Sequence, residues 1–196
     1  MVDIYYIVDI INISIKLKDF GGIFIMTKFN FDPAHSVVEF SVKHLMISNI
    51  KGRFTEFDAN LEGDLNDLSS LSGDFTINAN SIDTRVEDRD GHLRSGDFLD
   101  VENHPEIKFE LTKVDDSSVT GNVTIKGVTN EETFDLSYEG QSKNPLNGAT
   151  TAGFIVNGKI NREKYGITFN QALETGGVMI GKDVLFQVSL EFALED

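Results

Sequence analysis

From residue 26 onward, apolar and polar residues alternate along the chain with a period of two. The clearest run places Val184, Phe186, Val188, Leu190, Phe192 and Leu194 on one parity, against Asp183, Gln187, Ser189 and Glu191 on the other. Successive side chains of a strand point to opposite faces, so this pattern predicts strands with one buried face. It recurs in Val38, Phe40, Val42 and His44, in Phe75, Ile77 and Ala79, and in Ile107, Phe109 and Leu111. Val119, Gly121, Val123 and Ile125 follow it, as do Phe134, Leu136 and Tyr138, then Phe154, Val156, Gly158 and Ile160. Polar or glycine-bearing turns separate the runs, at Glu62-Gly63-Asp64, Asp115-Asp116-Ser117, Lys126-Gly127, Asn147-Gly148 and Gly176-Gly177. Short connections of this kind predict antiparallel neighbours.

About eight such strands predict an all-β protein, either a sandwich or a closed antiparallel barrel. Closure removes the exposed edges that invite aggregation, and the long runs at 53–63 and 152–161 can bend across a barrel. One stretch departs from the alternation. Residues 84–100 carry Val86, Leu93 and Phe98 among dense charges, which predicts a short helical insertion ended before Pro105.

Composition sharpens this picture in two respects. Fifteen Phe stand against four Tyr and no Trp, so the interior is filled by rings without a polar handle and is expected to be a greasy core or cavity. A net charge of -15 works against nucleic acid or an anionic membrane surface as a partner, since both repel the chain at long range. With no Cys, disulfides, thiolate catalysis and cysteine-ligated metals are excluded.

The first twenty-five residues contain eight Ile, yet Asp3, Asp9, Lys16, Lys18 and Asp19 interrupt them, so no run approaches the ~18 apolar residues of a membrane span. An acidic start and the absence of a small-residue cleavage site also argue against a secretory signal and against export by that route. Gly21-Gly22 is encodable by a bacterial ribosome-binding sequence lying shortly before Met26. Residues 1–25 are therefore read as a leader with a mis-assigned start or without order, and residues 26–196 as the single domain.

Several ordered segments resemble the YceI-like family. They are Asp32-Pro33-Ala34-His35-Ser36 with Phe40, Val42, Lys43 and His44; Lys51-Gly52-Arg53-Phe54; residues 89–98 leading to His104-Pro105-Glu106-Ile107-Lys108-Phe109; residues 124–129; residues 161–167; and residues 180–184. The resemblance spans roughly 27–194. It implies a lipocalin-like barrel that binds polyisoprenoids or related lipids, with no catalytic set to carry over; many exported members begin with a signal peptide, and the departure of this sequence from them there makes the cytoplasm the expected location. No cofactor is expected.

Candidate chemistry is sparse. His35, His44, His92 and His104 lack metal-ligand spacing, and no metal is expected. Asp88, Asp90 and Gly91 suggest a calcium loop, but its first ligand position is Val86. Residues 176–182 carry glycines and a Lys without the phosphate-loop pattern. The candidate ligand-binding residues are Phe40, Val42, Phe75, Ile77, Phe109, Ile125, Phe154, Val156, Phe186 and Val188 as apolar liners. His44 is a candidate anchor at the mouth, and Arg89, His92 or Arg94 could face a headgroup. Otherwise, the charges at 85–97 form a self-paired cap. The expected function is to hold a long-chain isoprenoid or other amphipathic lipid for carriage, storage or sensing, without catalysis. Two alternatives are a filled barrel acting as an interaction protein, with a homodimer as one form, and a hydrolase or isomerase using His44 or His92.

Protein begun at Met26 should melt within a few degrees of the full chain. A loss of several degrees in Tm, worth ~1 kcal/mol or more in a domain of this size, would show that the leader packs on the fold.

Overall fold

The computed structural model describes residues 27–146, 148–174 and 176–194; the leader at 1–25 lies outside them. Among the described residues eleven strands are formed: β1 (Thr27–Phe31), β2 (Val37–His44), β3 (Ser48–Phe54), β4 (Phe57–Asp64), β5 (Asp67–Asn78), β6 (Ile82–Asp83), β7 (Glu106–Asp115), β8 (Ser118–Ile125), β9 (Val128–Lys143), β10 (Thr150–Asn161) and β11 (Ile180–Leu194). One helix, α1 (Glu87–Arg94), lies between β6 and β7.

The pairing order β1-β4-β5-β7-β8-β9-β10-β11 returns to β1, which closes an antiparallel barrel of eight strands. The remaining three strands continue members of that ring. β1 runs into β2 through a 3-10 turn at Pro33–His35, β3 into β4 across Thr55-Glu56, and β5 into β6 through a turn at Ala79–Ser81. The wall thus consists of eight long staves, three of them bent. The run read at 53–63 contains one of these bends rather than a single smooth strand.

The bends are pinned to their neighbours. Asp32 caps the first, its Oδ1 accepting from the backbone N–H of Ala34 at 2.9 Å, and Ser36 Oγ donates to the Asp32 carbonyl at 2.7 Å. Asp32 N–H donates to the Glu191 carbonyl at 2.9 Å, and Glu191 N–H donates to Ser36 Oγ at 3.0 Å. β1 can therefore leave the edge of β11 and β2 take its place without an unpaired gap. The second and third bends bind each other, with Asn78 N–H on the Glu56 carbonyl at 2.9 Å and Glu56 N–H on Ser81 Oγ at 3.1 Å.

One end of the barrel is plugged by aromatic rings. Phe192, almost fully buried, meets Phe31 at 5.6 Å, Phe154 at 6.1 Å and Phe29 at 6.2 Å between ring centroids. The other end is covered by α1, the segment after it, and the 3-10 turn at Arg162–Tyr165 with the loop that follows. The N-cap residue of α1, Val86, offers no side-chain cap. Asp90 compensates by turning back to Thr84, accepting its N–H at 3.0 and 3.1 Å and its hydroxyl in a further hydrogen bond. Both residues are buried.

Tyr165 is fully buried under this cover, its hydroxyl donating to Glu132 Oε1 at 3.4 Å. Burial, reinforced by the Glu132 carboxylate, pushes its phenol up to about 12. A raised folded pKa favours the neutral phenol, so its contribution to stability is complete below the ordinary tyrosine value near ~10 and is lost as pH rises through about 12. Tyr165→Phe should cost ~1 kcal/mol at neutral pH through the lost hydrogen bond, yet lose less stability than wild type between these two pH values. Parallel declines in Tm across that window would exclude Tyr165 as the titrating group.

Candidate functional site

The barrel encloses a cavity of about 540 Å³. Phe40, Val42, Phe75, Ile77, Phe109, Ile125, Phe154, Val156, Phe186 and Val188 all line it. The alternation defines a shared face but not its direction; the closed sheet turns that face inward. The space across the axis remains open, so the filled lumen required by an interaction-protein alternative is absent.

Three glycines on the same inward parity help explain why so many phenylalanines leave room. Phe40 pairs across β2 and β3 with Gly52, and Phe186 pairs across β11 and β10 with Gly158. A methyl carbon on Gly52 would fall 2.4 Å from Phe40 Cζ. On Gly158 it would fall 2.5 Å from Phe186 Cζ and 2.6 Å from Phe134 Cδ1, and on Gly121 2.5 Å from the Phe109 ring. The rings thus lie against glycine backbone on neighbouring strands, along the wall rather than across the axis.

The polar lining is richest at the end covered by α1. His44 stands at the end of β2 opposite Ile180 and lines the cavity with Lys43. Arg89 also lines it, although its Nε donates to Thr84 Oγ1 and its Nη2 to the Thr84 carbonyl, both at 2.7 Å. His92 meets the rings of Phe98 at 5.0 Å and Phe169 at 4.9 Å edge-on, while its Nε2 is 3.0 Å from Asp97 Oδ2. It therefore joins the helical insertion to the loop after β10.

Arg94 is the correction. It does not border the cavity, because its guanidinium is engaged with the carbonyls of Asn80 at 3.0 Å and Ile82 at 3.1 Å and with Glu87 Oε1 at 3.0 Å. The self-paired cap is also only partly formed. Arg94 pairs with Glu87 and His92 with Asp97, but Asp90 and Arg89 both turn to Thr84.

Arg162 was not a candidate, yet it lines the cavity and is buried. Its guanidinium donates to the carbonyls of Ile167 at 2.7 Å, Gly181 at 3.0 Å and Ile180 at 3.4 Å. Burial lowers its pKa from the usual arginine value. The sequence signal was its parity: Arg162 stands two residues after Ile160, on the inward side of the run from Phe154, although a charge just past the end of a strand reads most simply as solvated.

Among the described residues, one group could hold a metal ion: Asp32, His35 and Glu191, with ligand atoms within 4.8 Å of one another. It belongs to the first bend rather than the cavity. The hydrogen bond between Asp32 and His35 lowers the carboxyl pKa and raises that of the imidazole.

A match to the YceI-like domain covers residues 29–192. The chain belongs to this family. UPF0312 proteins of Staphylococcus epidermidis and Staphylococcus aureus strain USA300 are each 56% identical over 171 residues, which is 87% of this chain and 100% of the relative. Among solved structures, Burkholderia cenocepacia BcnA superimposes with a TM-score of 0.70 at 21% identity, covering 83% of this chain and 99% of that one. A Campylobacter jejuni YceI protein gives 0.66 at 29%, covering 79% and 90%. A polyisoprenoid binding domain from Saccharophagus degradans gives 0.61 at 12%, covering 88% and 99%. The first and last of these are likenesses of fold, and they agree with the closed YceI-like barrel seen here.

Gly158→Ala tests the arrangement of rings on glycine. The added methyl should swing Phe186 or Phe134 into free space, leaving Tm nearly unchanged while reducing uptake of a fluorescent long-chain fatty acid. A destabilisation of ~1 to 3 kcal/mol with unchanged uptake would mean that the rings have nowhere to go.

Proposed function

We propose that this YceI-like barrel binds a long isoprenoid or other amphipathic lipid, tail in the lumen, and carries, stores or senses it without transforming it. The observation that carries this reading is an open, almost wholly apolar cavity inside a closed wall. Its size lies within the range of ~300 to 1,000 Å³ typical of small-molecule sites. Each methylene leaving water gains ~0.8 kcal/mol, so a tail of about ten would gain ~8 kcal/mol before the cost of association. Few polar contacts are then required. The Saccharophagus degradans domain, described as polyisoprenoid binding, shares the fold and supports the class of ligand.

The lining also favours an orientation. The plugged end is bordered by Phe154, Phe192 and Leu71 with Asn60 and Asp74 beside them, whereas His44, Arg89, His92 and Arg162 gather at the covered end. A polar or anionic headgroup is better satisfied at that end, where charge-assisted hydrogen bonds are available.

Val188→Trp tests the occupancy of the lumen. Val188 borders the cavity midway along β11, opposite Val38 and Val156. Indole placed there should abolish uptake of a fluorescent long-chain lipid while the barrel melts normally, because free space accepts it. A variant destabilised by ~1 to 3 kcal/mol, from a wild type that takes up no lipid, would refute the carrier reading.

A further inference from the structure

Outside the cavity, the tip of the β2–β3 hairpin presents Leu45, Met46 and Ile47 to solvent, with Ile47 83% exposed. Val178 is exposed beside them, and Leu45 N–H donates to the Met179 carbonyl at 2.8 Å. The turn itself is unusual. Ile47 N–H donates to the His44 carbonyl at 3.2 Å, and the two residues between them, Leu45 and Met46, have φ of 51° and 63°. Two successive positive φ values suit Asn-Gly, and any residue with a branched or bulky side chain is strained there. The hairpin tolerates that strain and leaves three consecutive apolar side chains in water.

The charge around the tip is also exceptional. In a chain of net charge -15, residues 40–55 contain Lys43, Lys51 and Arg53 and no Asp or Glu, and residues 176–182 contain Lys182 and no acid. Arg53 is held by Asp83 at 2.9 Å. Lys43, Lys51 and Lys182 are exposed and form no ion pair among the described residues. The nearest acids along the chain are Glu39, Glu56, Glu174 and Asp183, and Asp183 lies 3.5 Å from Lys159.

We propose that this hairpin tip docks on an anionic lipid bilayer, with Leu45, Met46 and Ile47 in the headgroup boundary and the three lysines on lipid phosphates. Apolar residues rimmed by lysine are the chemistry of interfacial binding. The net charge of -15 opposes approach at long range, but fields from exposed charges fade within about a Debye length of ~8 to 10 Å, and Asp183, the acid next to Lys182, lies 3.5 Å from Lys159. The tip also stands at the rim of the lumen: His44, Ile50, Met179 and Ile180 at its base line the cavity. Docking would set the polar end of the cavity against the bilayer. The proposal extends the lipid-binding reading but stands on the hairpin alone.

Flotation with vesicles of phosphatidylglycerol and phosphatidylcholine tests it. Wild-type protein should float with these vesicles, release as salt is raised, and ignore vesicles of phosphatidylcholine alone. The double variant Leu45→Asn with Met46→Gly supplies the residues the turn prefers, so its Tm should hold or rise while partitioning weakens about tenfold or more. Lys51→Glu with Lys182→Glu should weaken partitioning about tenfold on anionic vesicles. Uptake of a fluorescent fatty acid offered in solution should survive in both variants, which separates failure of docking from failure of the cavity. Wild-type protein that stays off anionic vesicles, or a Leu45→Asn, Met46→Gly protein that partitions equally well, overturns the proposal.

Discussion

An eight-stranded barrel has an interior that side chains can just fill, or that can just hold one ligand. Which of these occurs here depends on where the phenylalanine rings go. A ring projecting straight from the wall meets its counterparts near the axis. Phe40, Phe109 and Phe186 instead lie over Gly52, Gly121 and Gly158, where even a methyl carbon would overlap them. The rings keep their apolar surface covered from one side by backbone, and the lumen stays open on the other. The site requires this packing of phenylalanine on glycine, because the liners are large enough to close it.

Closure of the wall imposes a second constraint, met by the bends. β11 is longer than either of its first partners, pairing with β1 at residues 192–194 and with β2 at residues 180–189. The chain needs one tight, hydrogen-bonded corner between those partners, and Asp32-Pro33-Ala34-His35-Ser36 supplies it. Asp32 caps the turn, Pro33 fixes the backbone at its start, and Ser36 links it to Glu191 on the neighbouring strand. A family motif carrying two potential metal ligands, Asp32 and His35, therefore has a structural explanation within the wall. The bends at Thr55-Glu56 and Ala79–Ser81 satisfy each other in the same manner.

Much of this was legible in the sequence, for a definite reason. Period-two alternation reports the side of the sheet, so the liners from Phe40 to Val188 emerged together as one face. Their inward direction was not legible, since parity is symmetric until the sheet closes. The helical insertion was visible in its charge density, but its pairing was not. Asp90 and Arg89 sit within helical reach of opposite charges, yet the helix lacks a cap at Val86 and draws both towards Thr84. Arg94 departs from the headgroup role because the backbone carbonyls of Asn80 and Ile82, unreadable from sequence, engage its guanidinium. Arg162 went unseen because its partners are three backbone carbonyls, which leave no trace in residue identities.

A hollow barrel forgoes the burial that normally stabilises a domain of this size, so its stability must reside elsewhere. The rings around Phe192 form an aromatic plug at one end, and Tyr165 and Ile167 are buried at the other. Among the described residues, every buried side-chain nitrogen and oxygen has a hydrogen-bond partner, including the buried charges of Asp90 and Arg162. No polar debt offsets the thin core. The wall between the ends can then turn its apolar face to the lumen, and a bound tail would complete that core as a side chain does elsewhere. A ligand held only by the folded state stabilises it in proportion to the logarithm of its concentration over Kd. Binding and folding would therefore draw on one apolar surface, and the residues that make the cavity are also those that the ligand would finish packing.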